Sequence, residues 1–433
     1  MEFKQYPSYK PSGVEWLDDV PEHWSLKRFY YLFTENKKKN IGLKETNVLS
    51  LSYGNIKEKN IDDNKGLLPE SFETYQIIKP NDIVFRFTDL QNDKRSLRSA
   101  ISKYHGIITS AYIAVKTKQN ADFYNYLFRA YDLQKVFYSM GEGMRQSLKM
   151  DELNKMPVVL PNKDEQKRIV SFLDTETARI DNLIAKQEKL IELLEEQRKS
   201  IISHAVTKGL NPNAPMKDSG VEWLGQVPEH WNISKLRYYL DGIKDGTHGT
   251  HVSTTEGQLL LSGKNIKNGK LVITDNERKI SLEDHQKITA NGFPKKGDLL
   301  INVVGTIGQS CIYELDTPIS FQRSVCFLRA NNKLKPNFLQ RILESNLSQN
   351  QLKILTNKST IGGVYMGDLV ELIIPVVPIK EQNKITDYLD REIQEIVNCI
   401  DKQKLLIEKL KEYRSSTISH AVTGKIDVRE FDA

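Results

Sequence analysis

SGVEWLDDVPEHW (residues 12–24) returns as SGVEWLGQVPEHW (219–231), with Asp18-Asp19 exchanged for Gly225-Gln226. Chance does not place such a stretch twice in one chain, so the repeat decides how the rest is read. Working outward, SYGNIK (52–57) is echoed by SGKNIK (262–267), and KPNDIVF (79–85) by KKGDLLI (295–301). MPVVLPNKDEQ (156–166) is echoed by IPVVPIKEQ (374–382), and RKSIISHAVT (198–207) by RSSTISHAVT (414–423). The interval is far too long for a solenoid repeat, so a large unit has been duplicated. Between the shared ends the two copies diverge: the frame is common and the filling differs.

Each copy divides in two. About 150 residues mix short β-rich runs (NDIVFRF, GIITSAYIAVK, GDLLINVV, SVCFLRA) with Gly, Pro, Asn and Asp clusters and helical stretches, which reads as an α+β domain. A long stretch without Pro or Gly follows. The first runs from beyond Pro161 to Gly209; the second runs from about Lys380 to Thr423 and stops at Gly424. Leu173, Ile180, Gln187, Leu194 and Ile201 recur every seven residues, and Leu389, Ile396, Gln403, Leu410 and Thr417 repeat that pattern. This is coiled-coil spacing, over helices about 60 Å long. The expected fold is α+β: two similar globular domains separated by two long helices that pair as an antiparallel coiled coil, with internal pseudo-twofold symmetry. The expected boundaries are 1–160 and 211–378 for the domains, 161–210 for the central helix and linker, and 379–433 for the second helix and tail.

Composition narrows the function. With 39% hydrophobic and 27% charged residues the chain is of globular, not disordered, type. There is no run of 18 apolar residues and no apolar core near the N-terminus, so neither a membrane span nor a signal peptide is expected. Cys311, Cys326 and Cys399 sit in no metal-ligand spacing and suit a reducing cytoplasm. Residues 1–160 carry 24 Lys and Arg against 20 Asp and Glu, and 211–378 carry 19 against 16, while 161–210 carry 9 of each. The basic excess lies in the globular domains, which fits two modules that bind a polyanion.

Catalytic motifs fail on inspection. GQLLLSGKN (257–265) has five residues between its glycines where a phosphate loop has four, and Asn265 replaces the hydroxyl that holds Mg²⁺. NPNAP (211–215) lacks the second Pro of an amino-methylase site and reads as a linker. His248 and His251 have no third metal ligand nearby, so phosphate or base contact is the better reading, and no metal is expected. His204 and His420, near helix C-termini, suit the helix dipole. What remains is a set of polar, basic loops. Arg86, Gln91, Asn92, Lys94, Arg95 and Arg98 lie in one stretch, and Arg145, Gln146 and Lys149 in another. The second copy offers His248, His251, Gln322, Arg323, Lys358, Thr360 and Tyr365. Arg suits guanine and Asn or Gln suits adenine in direct base readout; Lys and glycine-backed amides suit phosphates. Taken singly, each such loop is also compatible with a solvated charged loop.

The duplicated frame, IVFRFTDLQND (83–93), DGTHGTH (245–251), the helix starts in which Pro is followed after three or two residues by EQ (Pro161 to Gln166, Pro378 to Gln382) and the ISHAVT ends resemble the DNA-specificity subunit of type I restriction–modification enzymes. The resemblance covers essentially the whole chain. It implies two target-recognition domains that each read half of a split DNA site, held by an antiparallel helix pair on which methylase subunits, two by symmetry, and then nuclease–translocase subunits assemble. It also implies a non-catalytic chain without a cofactor of its own, with S-adenosylmethionine, ATP and Mg expected in the partner subunits. The first domain departs from the pattern: it lacks the Gly-x-x-Gly turn of Gly305–Gly308 and carries TDLQND instead. The alternative reading is a coiled-coil adaptor that binds protein and has no DNA specificity.

Overall fold

The computed structural model describes residues 4–60, 69, 71–88, 97–140, 147–290, 292–358 and 362–431. The chain forms two compact units. One comprises residues 1–187 and 404–433, the other residues 188–403. Each unit therefore takes one globular domain, the beginning of the long helix that follows it and the end of the other long helix. This cuts across the four consecutive segments expected from the sequence, because the helix ends are built into the cores of the domains. The helices themselves run over Lys163–Lys208 and Ile379–Val422.

Each domain is built on the same four-stranded antiparallel sheet. In the first domain the order is Phe33–Glu35, Ile113–Thr117, Ile83–Phe85, Ser99–Ile101. In the second it is Leu240–Asp245, Val325–Ala330, Leu299–Asn302, Ser310–Ile312. The inner strands IVF and LLIN are buried at every position, which is why they read as continuous apolar runs. The turn before each of them explains one sequence echo. The Asp82 carboxylate accepts a hydrogen bond from the Lys79 amide at 3.0 Å, and Asp298 accepts one from the Lys295 amide at 2.7 Å. Asn81 and Gly297, with φ of 71° and 92°, take the left-handed conformation that such a turn needs.

A second echo does not survive. Tyr53-Gly54 forms a hairpin turn with both φ positive, and Asn55-Ile56-Lys57 comes after it. The equivalent turn in the second domain is Asn268-Gly269, and Asn265-Ile266-Lys267 comes before it. The two NIK triplets thus occupy opposite arms of one hairpin; the left-handed turn sets the register, not the repeated letters.

The repeated opening segment is a mounting. Its short hairpins, Tyr9–Pro11 with Asp19–Pro21 and Met216–Asp218 with Gln226–Pro228, lead to Trp24 and Trp231, both fully buried. The strands that follow, Ser25–Arg28 and Asn232–Lys235, pair with the PVVL and IIPV runs just before the long helices. The Glu-Gln pairs at the helix starts then lock on. Gln166 donates to the Pro161 carbonyl at 2.9 Å and accepts from the Asn120 amide at 3.1 Å. Gln382 likewise donates to Val377 at 2.7 Å and accepts from Lys335 at 2.8 Å. Gly209 and Gly424, with φ of 75° and 77°, end the helices in the left-handed conformation usual after a helix C-terminus. A Cβ on Gly424 would lie 2.3 Å from Pro21, and one on Gly209 would lie 3.3 Å from Trp231.

Within each unit the two helix ends run antiparallel. In the first, Ile169 and Leu173 share a core with Ile418, Ala421 and Val422, and Arg414 grips the Asp181 carboxylate with bonds of 2.8 and 3.1 Å. In the second, Ile202, Ala205 and Val206 share a core with Ile385 and Leu389, and Ser203 accepts from the Asn346 amide at 2.9 Å. Of the heptad positions, Leu173, Ile180, Leu389, Ile396 and Thr417 are buried, and Gln187, Leu194, Ile201, Gln403 and Leu410 are half-buried.

Candidate nucleic-acid interface

The loops picked out for base contact leave one end of each sheet. In the second domain three of them are stitched together there. The Gly246 amide donates to Val325 at 2.9 Å, Thr247 donates to Phe321 at 2.8 Å, and Arg323 donates back to Thr247 at 3.0 Å. Gly246 is required: a Cβ there would lie 2.2 Å from the Phe321 carbonyl and 2.3 Å from that of Gln322. Val304 bridges to Gly363, which carries Tyr365 to the same edge. His248, Gln322, Arg323 and Tyr365 thus gather on one rim. Arg323 and Tyr365 are exposed, and the Arg323 side chain makes no hydrogen bond or ion pair among the described residues. Free guanidinium, amide and phenol groups on a rim are what base edges and phosphates accept.

The two histidines part company. His248, two-thirds exposed, sits 2.6 Å from Asp245. His251 is turned inward, held at 2.9 Å from the Thr247 hydroxyl and 3.4 Å from Asp284. With only 13% of its side chain exposed, His251 is held by the loop it shapes and is far less open to a ligand than His248, a correction to the sequence reading, which treated the two alike.

The first domain uses the same sheet end differently. Arg86 is half-buried there, directly after the inner strand, with its amide bonded to the Arg98 carbonyl at 2.8 Å. The Leu148 amide reaches Phe87 at 3.3 Å, which brings exposed Lys149 alongside. Arg98 is the second correction. Its side chain is fully buried, with the guanidinium donating to the Thr88 carbonyl at 3.2 Å and packed over the Tyr138 ring. Its amide is bonded to buried Asp132 at 2.5 Å. Burial raises the Asp132 pKa, and the hydrogen bond from Arg98 opposes that shift. An arginine with no exposed surface cannot touch a base; it braces the root of the loop. Gln91, Asn92, Lys94, Arg95, Arg145, Gln146, Thr360 and the side chain of Lys358 lie outside the described residues.

Aligning the sheets exposes positions that motif reading passed over. Phe85 and Ile301 hold the same place in the ladder, so Asn302 stands where the first domain has Arg86. Asn302 is fully buried and donates to the Gly263 carbonyl at 2.9 Å and the Thr306 hydroxyl at 2.8 Å, bracing the Gly305–Gly308 turn. Likewise Thr109-Ser110 stand where the second domain has Gln322-Arg323. The KPNDIVF/KKGDLLI echo already carried the first of these equivalences, one residue beyond its end.

Comparison with known proteins agrees with this architecture. Residues 100–193 and 254–409 match the family described as Type I restriction modification DNA specificity domain. Among curated relatives, the type I restriction enzyme MjaVIII specificity subunit of Methanocaldococcus jannaschii is 26% identical over 340 residues, covering 76% of each chain. The putative MjaX specificity subunit of the same organism is 23% identical over 453 residues, 99% of each chain. Among solved structures, a chain from a study of complex assembly and conformational transition of the type I R-M system superposes with a TM-score of 0.69. That match is at 16% identity and covers 93% of this chain and 98% of the other.

Proposed function

Because the chain belongs to the type I restriction–modification DNA specificity family, a family of non-catalytic specificity subunits that work with DNA and the other subunits of the system, we propose that each domain reads one half of a bipartite DNA site. The observation that supports this is the contrast at equivalent sheet ends. One scaffold presents Arg86 with Thr109-Ser110 in the first domain and Gln322-Arg323 in the second, where buried Asn302 takes the place of Arg86. Two identical readers would need no such difference; two readers of different half-sites do. Arg86 and Lys149 serve the first half. His248, Gln322, Arg323 and Tyr365 serve the second.

The long helices set the interval between half-sites and receive the methylase subunits, two by the repetition of the mounting. The chemistry belongs to those partners, which carry S-adenosylmethionine, ATP and Mg, and the complex works in the cytoplasm. No helix among the described residues is long and apolar enough to cross a membrane. The test is binding of the purified chain to duplex DNA across a salt series. A phosphate-contacting protein loses affinity steeply with salt; an adaptor that binds only protein gives no DNA binding at any salt.

A further inference from the structure

Beneath the Tyr53-Gly54 turn the first domain holds an open cleft of about 600 Å³ whose charged lining is wholly basic: Lys57, Lys103, Arg129 and Arg414. The equivalent cleft beneath Asn268-Gly269, about 480 Å³, mixes Lys270 and Arg341 with Glu314 and Asp390. In both, the helix behind the cleft reaches up to the turn. Arg129 donates to the Gly54 carbonyl at 2.7 Å, and Gln340 donates to that of Gly269 at 3.3 Å. Gln340 stands one helical turn before the position of Arg129, whose own counterpart is Glu344, so the second domain holds this turn without a guanidinium.

That guanidinium is also badly placed for a purely structural group. Its Nε is buried with no hydrogen-bond partner, as is the Asn125 Oδ1 beside it. Burial lowers the Arg129 pKa, and Arg414 adds to this, while Asp132 opposes it. Arg414 is already satisfied by Asp181, and Asp122 lies within electrostatic reach of Lys103. Lys57 and Lys103 stand exposed at the mouth and make no hydrogen bond or ion pair among the described residues. The cleft opens by Ile101–Tyr104, whereas the base-reading loop leaves the same strand at Ser99. It is a separate place from the candidate interface.

We propose that this cleft binds a terminal phosphate group, and that its counterpart in the second domain does not. The positive Arg129 guanidinium on the floor, with one nitrogen held by Gly54, and two exposed ammonium groups at the rim match a tetrahedral oxyanion. Duplex DNA carries its phosphates on a convex rail, which reaches the rim lysines but not the floor. A small ligand ending in phosphate reaches both. The proposal does not depend on the half-site reading.

The test is calorimetric titration of the full chain at fixed ionic strength with inorganic phosphate, with ATP and with a random duplex. Two cleft variants and a control in the second domain accompany it. The Lys57→Ala/Lys103→Ala pair changes only exposed side chains, and Arg129→Gln keeps an amide donor below the turn while removing the charge. Saturable binding of phosphate or ATP is expected, weakened roughly tenfold or more in either variant and unchanged by Glu314→Gln, with duplex affinity unaffected by Arg129→Gln. The proposal fails if neither small ligand binds saturably, if both variants bind like the parent, or if the variants weaken only the duplex. Loss of duplex binding in the parent chain would instead count against the half-site reading.

Discussion

The imidazole of His23 lies 3.0 Å from the buried carboxylate of Glu165, tying the opening segment of the first domain to the first turn of its long helix. His230 and Glu381 repeat the contact at 2.8 Å, and the Trp231 indole adds a bond to the same carboxylate at 3.1 Å. One segment therefore holds the start of one helix and, through Trp24 at Gly424 or Trp231 at Gly209, the end of the other. This is why SGVEWLxxVPEHW occurs twice: each domain needs the same two-sided mounting.

The mounting predicts a ranking among glycines. Gly424→Ala combines a left-handed φ with a Cβ driven into Pro21, whereas Gly220→Ala, with φ of 72°, meets open space. The second should cost about 1 kcal/mol from conformation alone, and the first about 2–4 kcal/mol with the added clash. Thermal unfolding of the two variants checks the order.

Arg98→Met should destabilise the first domain by about 2–4 kcal/mol, because the Thr88 carbonyl and the Tyr138 ring lose the guanidinium packed against them. Its effect on base preference should be no greater than its effect on folding. Denaturant titration beside DNA binding separates the two; a normally stable variant with relaxed half-site preference would restore Arg98 to the readers.

Arg323→Ala and Gln322→Ala should relax recognition at one half-site by about 1–3 kcal/mol and leave the other unchanged, and Arg86→Ala should do the converse. Competition binding with sites altered in one half at a time measures this.

The purified chain should transfer no methyl group and cut no DNA. Turnover that follows the chain through successive purification steps, with partner subunits absent, contradicts this.

The Gln187 and Gln403 amides hold matching places in otherwise mostly apolar seams, and facing each other they would satisfy two half-buried polar groups and fix register. Gln187→Cys with Gln403→Cys should then form a disulfide, which needs Cα atoms within about 7 Å. Crosslinking only by a pair displaced one heptad would move the register.

How much of this was legible follows from what each residue touches. The lead-in segment, the Glu-Gln helix starts and the ISHAVT ends could be read because they pack on one another, so both copies keep them. The heptads could be read because one face of a helix must be apolar. The site was harder. Arg98 stood among polar letters but starts the edge strand whose backbone meets Asp132, and no local pattern reports a partner 34 residues away. His251 differs from His248 only in facing Asp284, again a distant contact. Asn302 was overlooked because a single Asn ending an apolar run looks like a strand terminus, not a brace for the next turn.

The most direct measurement is the methylation pattern of a genome exposed to the assembled complex, read for the parent chain and for a chain whose residues 240–330 are replaced by those of a relative with another specificity. Two readers on one mounting predict a bipartite motif in which only one half changes, while the other half and the interval stay fixed. A change in both halves, or a motif without two halves, would contradict the account.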